Sequence, residues 1–163
     1  GLPFVSHCID VANILIDWNM DHTTIISALL HDVVEDTEVK LCDIEEEFGS
    51  DVAILVDGVT KVENITFRSK EHKQAKNFTK LFLSLARDLR VIIIKFADRL
   101  NNMETIRYLS SEKRKEIALE TKEIFVPLAH RLGMAKLKWE LEDLSLKCLD
   151  LRSIVQLKHA QTT

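Results

Sequence analysis

Apolar positions along this chain recur at helical rather than strand spacing. Val5, Cys8, Ile9, Ala12 and Leu15 mark one stripe, Phe78, Leu81, Phe82 and Leu85 another, and Leu137, Leu141, Leu144 and Cys148 a third. Neither glycine nor proline occurs between Gly58 and Pro127, and so long a stretch without a breaker favours helices over short strands joined by tight turns. The β-branched run Val91-Ile92-Ile93-Ile94 also fits a buried strand. It is read as helix because Asp88 can cap it and Ile93, Ala97 and Leu100 continue a helical stripe. The pattern predicts helices over residues 4–18, 22–34, 40–48, 50–59, 71–87, 89–108, 112–132 with a break near Pro127, and 136–150. Gly49 and Gly133 are expected to end helices in the left-handed conformation. Residues 151–163 lose the pattern and are expected to fray. The expected class is all-α.

Composition sharpens this. The 163 residues are 46% hydrophobic, enough for one sizeable core. No apolar stretch approaches the ~20 residues of a membrane span, and no signal-like leader stands at the start, so the chain is read as soluble and cytoplasmic. Cys8, Cys42 and Cys148 are odd in number and widely spaced, which suits core or interface positions better than disulfides or a zinc knuckle. A net charge of −4, without interleaved aromatic and basic residues, argues against a nucleic-acid partner.

The candidate chemistry centres on His31-Asp32-Val33-Val34-Glu35-Asp36-Thr37, which follows the apolar run Thr24–Leu30. On a continuous helix, His31, Asp32, Glu35 and Asp36 fall at roughly 0, 100, 40 and 140°, on one side. Acids crowded beside buried surface repel one another unless a cation, protons or water relieve them. Alone, the segment also fits the acidic end of a surface helix. His7, in an apolar helix, is either a nitrogen ligand or a satisfied core histidine. Asp98 is either a further ligand or an ion-pair partner, and it shares a helical stripe with Asn102 and Thr105.

The order His7, His31-Asp32, Asp98 is similar to the metal-dependent HD phosphohydrolases. Four segments narrow the likeness: Leu30-His31-Asp32-Val33-Val34-Glu35-Asp36-Thr37, Val56-Asp57-Gly58-Val59-Thr60-Lys61, Ala97-Asp98-Arg99-Leu100 and Pro127-Leu128-Ala129-His130-Arg131-Leu132-Gly133. They resemble the hydrolase domain of RelA/SpoT proteins, and Lys138–Leu144 continues the likeness. The resemblance implies an all-α HD-domain bundle over residues 1–150, with 151–163 as a tail or linker toward a synthetase domain. It further implies hydrolysis of the stringent-response alarmones ppGpp and pppGpp at the 3′-diphosphate, giving GDP or GTP and pyrophosphate. His7, His31, Asp32 and Asp98 match the family's metal ligands, with Mn²⁺ the usual ion. Glu35 and Asp36 match the pair that positions and deprotonates the attacking water. Asn102 and Thr105 match positions near the ribose and guanine.

A mixed nitrogen and oxygen set suits a hard or borderline divalent ion, although zinc, iron and magnesium fit the same donors. Between residues 61 and 99 cations outnumber acids; Lys61 and Arg99 are the phosphate contacts expected there, while most of the lysines also fit an ordinary solvated face. Family members usually carry a basic segment just upstream of the position where this chain starts, so weak nucleotide affinity is expected. Asn101 stands where the family commonly has histidine. Two rival readings stay open: an HD phosphohydrolase acting on another nucleotide, and a non-catalytic nucleotide-binding module.

Overall fold

The computed structural model describes residues 4–67 and 87–160, with side chains over residues 5–63 and 87–149. The expected helix over 71–87, with its Phe78, Leu81, Phe82 and Leu85 stripe, lies almost wholly outside the described residues, as do Arg68, Lys70, Lys73, Lys76 and Lys80. Among the described residues there is no strand. The helices are α1 (Phe4–Asp17), α2 (His22–Leu30), α3 (Val33–Asp36), α4 (Leu41–Phe48), α5 (Ser50–Phe67), α6 (Leu89–Glu104), α7 (Ser111–Glu120), α8 (Val126–Arg131) and α9 (Ala135–Ala160). A 3-10 turn, Ile106–Tyr108, precedes α7, and a π turn, Thr121–Phe125, joins α7 to α8. The chain divides into two compact units, residues 2–98 and residues 99–163.

In the first unit, α1 buries Cys8, Val11, Ala12 and Leu15. The expected stripe is therefore rotated: Val5 and Ile9 are exposed and Val11 takes a core position, which keeps the buried set to the narrow 8, 11, 12, 15 face. Asn19, at φ 56°, reverses the chain before α2. Asp21 then caps α2, its carboxylate accepting from the Thr24 amide at 3.3 Å. α2 presents the small residues Thr24, Ser27 and Ala28 inward, and the Ser27 hydroxyl donates to the Thr23 carbonyl at 2.7 Å, so its burial leaves no unmet donor. Ile44, Val52, Ala53 and Val56 of α4 and α5 form a core cluster with Ile26, Leu30, Val34 and Leu41 packed against it.

α5 does not stop near residue 59 but runs on to Phe67, because Val59 and Val62 are buried and reward continuation. Gly58 serves packing rather than termination. A Cβ placed there would lie 2.7 Å from Val91 Cγ2, so the glycine lets α5 approach α6. Gly58→Ala is expected to destabilise the protein by about 1–3 kcal/mol through overpacking against a stiff β-branched side chain, despite alanine's better helix propensity. A lowered urea midpoint at unchanged slope checks this.

The Val91–Ile94 run is helical, as read from its cap and stripe. Asp88 accepts from the Arg90 amide at 3.0 Å and pairs with the Arg90 guanidinium at 2.7 Å. Burial of Val91, Ile92, Ile94, Phe96 and Ala97 outweighs the weak helix propensity of β-branched residues.

The second unit takes over α6 from Arg99. Ser110 caps α7. In place of the expected break, a π turn leads without interruption into α8, whose second residue is Pro127; the missing proline amide removes one backbone bond of the regular helical ladder there. Gly133, at φ 73°, ends α8 in the left-handed region as expected, whereas Gly49, at φ 93° and ψ 165°, ends α4 outside it. α9 buries Leu137, Leu141 and Ser145 and continues through residues 151–160, where fraying was expected. Its Trp139 is 64% exposed. The three cysteines are free.

Candidate metal centre

The helix predicted over 22–34 is interrupted at His31-Asp32. α2 ends at Leu30 and the four-residue α3 begins at Val33. The cause is local: the His31 ring, through Nδ1, donates to the Ala28 carbonyl at 2.6 Å. In an unbroken helix that carbonyl would accept the Asp32 amide. The imidazole competes for it, and the chain turns. His31 and Asp32 thus stand between two helices rather than within one, although both keep right-handed helical backbone angles.

The turn brings the motif to residues from both ends of the first unit. His7 Nε2, from α1, lies 2.9 Å from Asp98 Oδ1, from α6. His31 Nε2 lies 3.0 Å from Asp32 Oδ1 and 3.9 Å from Asp98 Oδ1. The His7 and His31 rings meet edge to face at 5.8 Å. One donor atom each from His7, His31 and Asp98 lies within 4.8 Å of the others. Three of the four residues matched as ligands thus meet, and the fourth, Asp32, adjoins them through His31.

A divalent ion fits this donor set. His31 is 2% exposed, and with Nδ1–H committed to Ala28, a neutral ring presents a bare nitrogen lone pair at Nε2. That atom is buried without a hydrogen bond: the Asp32 oxygen is close enough but not aligned for one. A lone pair facing two carboxylates calls for a cation between them. The surrounding carboxylates favour positive charge at this position, whether a proton on the ring or a metal ion. Burial pulls the His31 pKa down, but the Asp32 and Asp98 carboxylates overcome it and raise it above the usual histidine value. Burial also opposes ionisation of Asp98, yet Lys95, followed by His7 and His31, holds its carboxyl well below the usual range.

A second acidic group adjoins this cluster through Asp32. Asp32, Glu35 and Glu63 bring one oxygen each within 4.8 Å of one another. Glu35 sits above the ordinary carboxylate range, through desolvation first and then the charges of Glu63 and Asp32. Asp36 is exposed at the end of α3. Buried Cys8 belongs to the same neighbourhood; burial and then the Asp32, Asp98 and Asp36 charges push its thiol up to about 11, so it stays protonated.

Lys61, Arg99 and Thr105, expected to contact nucleotide, are engaged with other groups. Lys61 is exposed and paired with Asp57 one turn back. Arg99 donates to Glu120 Oε2 at 2.6 Å and lies over the Phe125 ring at 4.3 Å. α6 ends at Glu104, yet the Thr105 amide still donates to the Asn101 carbonyl at 3.0 Å, and its hydroxyl donates to the same oxygen at 2.9 Å. Sequence reasoning passed over Lys95 as one cation among many, and over Glu63 and Cys8 as neighbours of the site. The i, i+3 spacing of Lys95 and Asp98 was a visible signal; Glu63 had none, because it arrives from another helix.

The HD domain family matches residues 1–135. A Synechocystis sp. protein named a probable guanosine-3′,5′-bis(diphosphate) 3′-pyrophosphohydrolase is 51% identical over 150 residues, covering 92% of this chain and 20% of that protein. The bifunctional (p)ppGpp synthase/hydrolase SpoT of Escherichia coli K12 is 48% identical over 149 residues, covering 91% of this chain and 21% of its own length. The chain thus spans about a fifth of these relatives. A solved structure of a metazoan SpoT ortholog, described as hydrolysing ppGpp, superposes with a TM-score of 0.64 at 29% identity, over 87% of this chain and 79% of that one. With the match running through all but the last helix, and with His7, His31-Asp32 and Asp98 gathered as described, the chain belongs to the HD domain family.

Proposed function

We propose that this chain is a (p)ppGpp 3′-pyrophosphohydrolase domain that converts ppGpp or pppGpp and water to GDP or GTP and pyrophosphate. The observation that carries the reading is the buried, hydrogen-bond-free Nε2 of His31 facing Asp32 and Asp98. The names of the relatives and of the structural neighbour supply the substrate class.

His7, His31, Asp32 and Asp98 are the proposed ligands of one divalent ion, Mn²⁺ in our reading. When bound, such an ion supplies Lewis acidity to the phosphate and eases deprotonation of water. The remaining chemistry falls to the chain. Glu35, with its raised pKa, takes a proton from the attacking water, and Asp36 helps orient that water. Arg99, Asn102, Thr105 and Lys61 are proposed to bind nucleotide, Arg99 and Lys61 exchanging their present acidic partners for phosphate. Residues 1–150 form the proposed hydrolase domain and 151–163 lead toward a synthetase domain, in line with the greater length of the relatives. Among the described residues no helix is long and apolar enough to cross a membrane, and the nucleotide substrate argues for the cytoplasm.

The test is product release by the purified chain from ppGpp, NADPH and ordinary nucleoside triphosphates, with Mn²⁺ and with chelator. GDP and pyrophosphate from ppGpp, lost on chelation, are expected. Preference for another nucleotide, or turnover indifferent to chelator, would displace the proposal.

A further inference from the structure

Lys95 stands one helical turn before Asp98 on α6, and it is 6% exposed. Its Nζ donates to Asp98 Oδ2 at 2.7 Å and to Glu63 Oε2 at 3.4 Å. The other oxygen of Asp98, Oδ1, is the one that meets His7 Nε2 at 2.9 Å and lies 3.9 Å from His31 Nε2. The carboxylate is thus divided between an ammonium on one side and two imidazoles on the other. An aspartate carboxylate turns readily about its terminal torsion and can offer either oxygen or both. A charge-assisted hydrogen bond on Oδ2, itself moored to a second helix through Glu63, removes that choice.

We infer that Lys95 is the positioning residue of the metal centre, gripping Asp98 by Oδ2 and bracing that grip on Glu63 of α5, so that Oδ1 is the oxygen turned toward His7 and His31. The inference rests on the metal-centre reading and goes beyond it, because Lys95 is itself no ligand. Lys95 acts on a bound cation in two opposed ways. Its charge repels the ion, whereas its hydrogen bond fixes a ligand in advance of binding. Loss of the charge alone would tighten metal binding; loss of the positioning weakens it. The sign of the change therefore separates the two.

The experiment uses the whole chain without nucleotide and measures Mn²⁺ affinity by calorimetry, together with the electron paramagnetic resonance spectrum of the bound ion. Lys95→Met keeps most of the side-chain volume and removes the donor. Its dissociation constant is expected to rise about 10- to 100-fold, the usual cost of deleting a partner that orients a metal ligand, with metal-free helicity retained by circular dichroism. An unchanged or lower dissociation constant overturns the inference. Should Lys95→Met fail to fold, Lys95→Arg decides: it keeps the charge and donors but replaces a compact ammonium with a planar fork. Positioning then expects affinity about tenfold weaker, and wild-type affinity overturns it. If the wild-type chain binds no Mn²⁺, the metal-centre reading and this inference fall together. If the wild type binds and Lys95→Met binds as tightly, only the positioning role falls.

Discussion

Replacing Asp98 with alanine is expected to cost about 3–5 kcal/mol of folding stability, the usual penalty for breaking a buried ion pair from one side, and to abolish Mn²⁺ binding. Asp98 and Lys95 are both buried, and their oxygen and nitrogen lie 2.7 Å apart. Removal of the carboxylate leaves the Lys95 ammonium in the interior without its shorter acidic contact, Glu63 lying farther off at 3.4 Å. The double variant Lys95→Met/Asp98→Leu removes both charges and fills the space with apolar groups. Such exchanges are often neutral for stability, so the double variant is expected to regain most of what the single one loses and still to bind no metal. Urea denaturation and calorimetry on both proteins give the answer. Wild-type stability in Asp98→Ala would mean that the pair is more solvated than its burial indicates. Metal binding by either protein would remove Asp98 from the ligand set.

Glu35→Gln is expected to lower kcat for ppGpp hydrolysis by about 10²–10⁴-fold, the range attributed to a positioned general base, while the protein still folds and binds Mn²⁺. Glu35 is suited to the task because desolvation and the neighbouring Glu63 and Asp32 charges raise its pKa, which strengthens it as a proton acceptor. It lies on α3, past the turn that carries His31 and Asp32, and it does not join the His7, His31 and Asp98 cluster. Glutamine preserves shape and hydrogen bonding but accepts no proton. A fall confined to kcat, with KM little changed, identifies a group used in the transition state. A matched loss of metal affinity would instead make Glu35 a ligand, and an unchanged rate would move the base to Asp36 or elsewhere.

Much of this arrangement was legible in the sequence where local and long-range preferences agree. The Asp88 cap and the stripe after it identified α6 as a helix despite four consecutive β-branched residues, and glycine with positive φ does end α8 at Gly133. The proposed ligand quartet came from resemblance alone, since nothing in the spacing of residues 7, 31 and 98 says that they meet. Other features depended on contacts a linear pattern does not carry. Gly58 carries no sign in the sequence of its close approach to Val91. The break after Leu30 follows from a ring nitrogen competing with a backbone amide for the Ala28 carbonyl, a contest that periodicity cannot register. Arg99 reads as a phosphate contact or a partner for Asp98, whereas in the fold Glu120 and Phe125 hold it.

His7 and Asp98 stand near opposite ends of the first compact unit, 91 residues apart in sequence. An ion held between them would close that stretch into a ring, much as a covalent cross-link does, and would bar the extended conformations that favour unfolding. Occupancy and resistance to unravelling would then rise together. A domain that loses its ion would lose catalytic power and, by the same event, the clasp that keeps its first helix from peeling away.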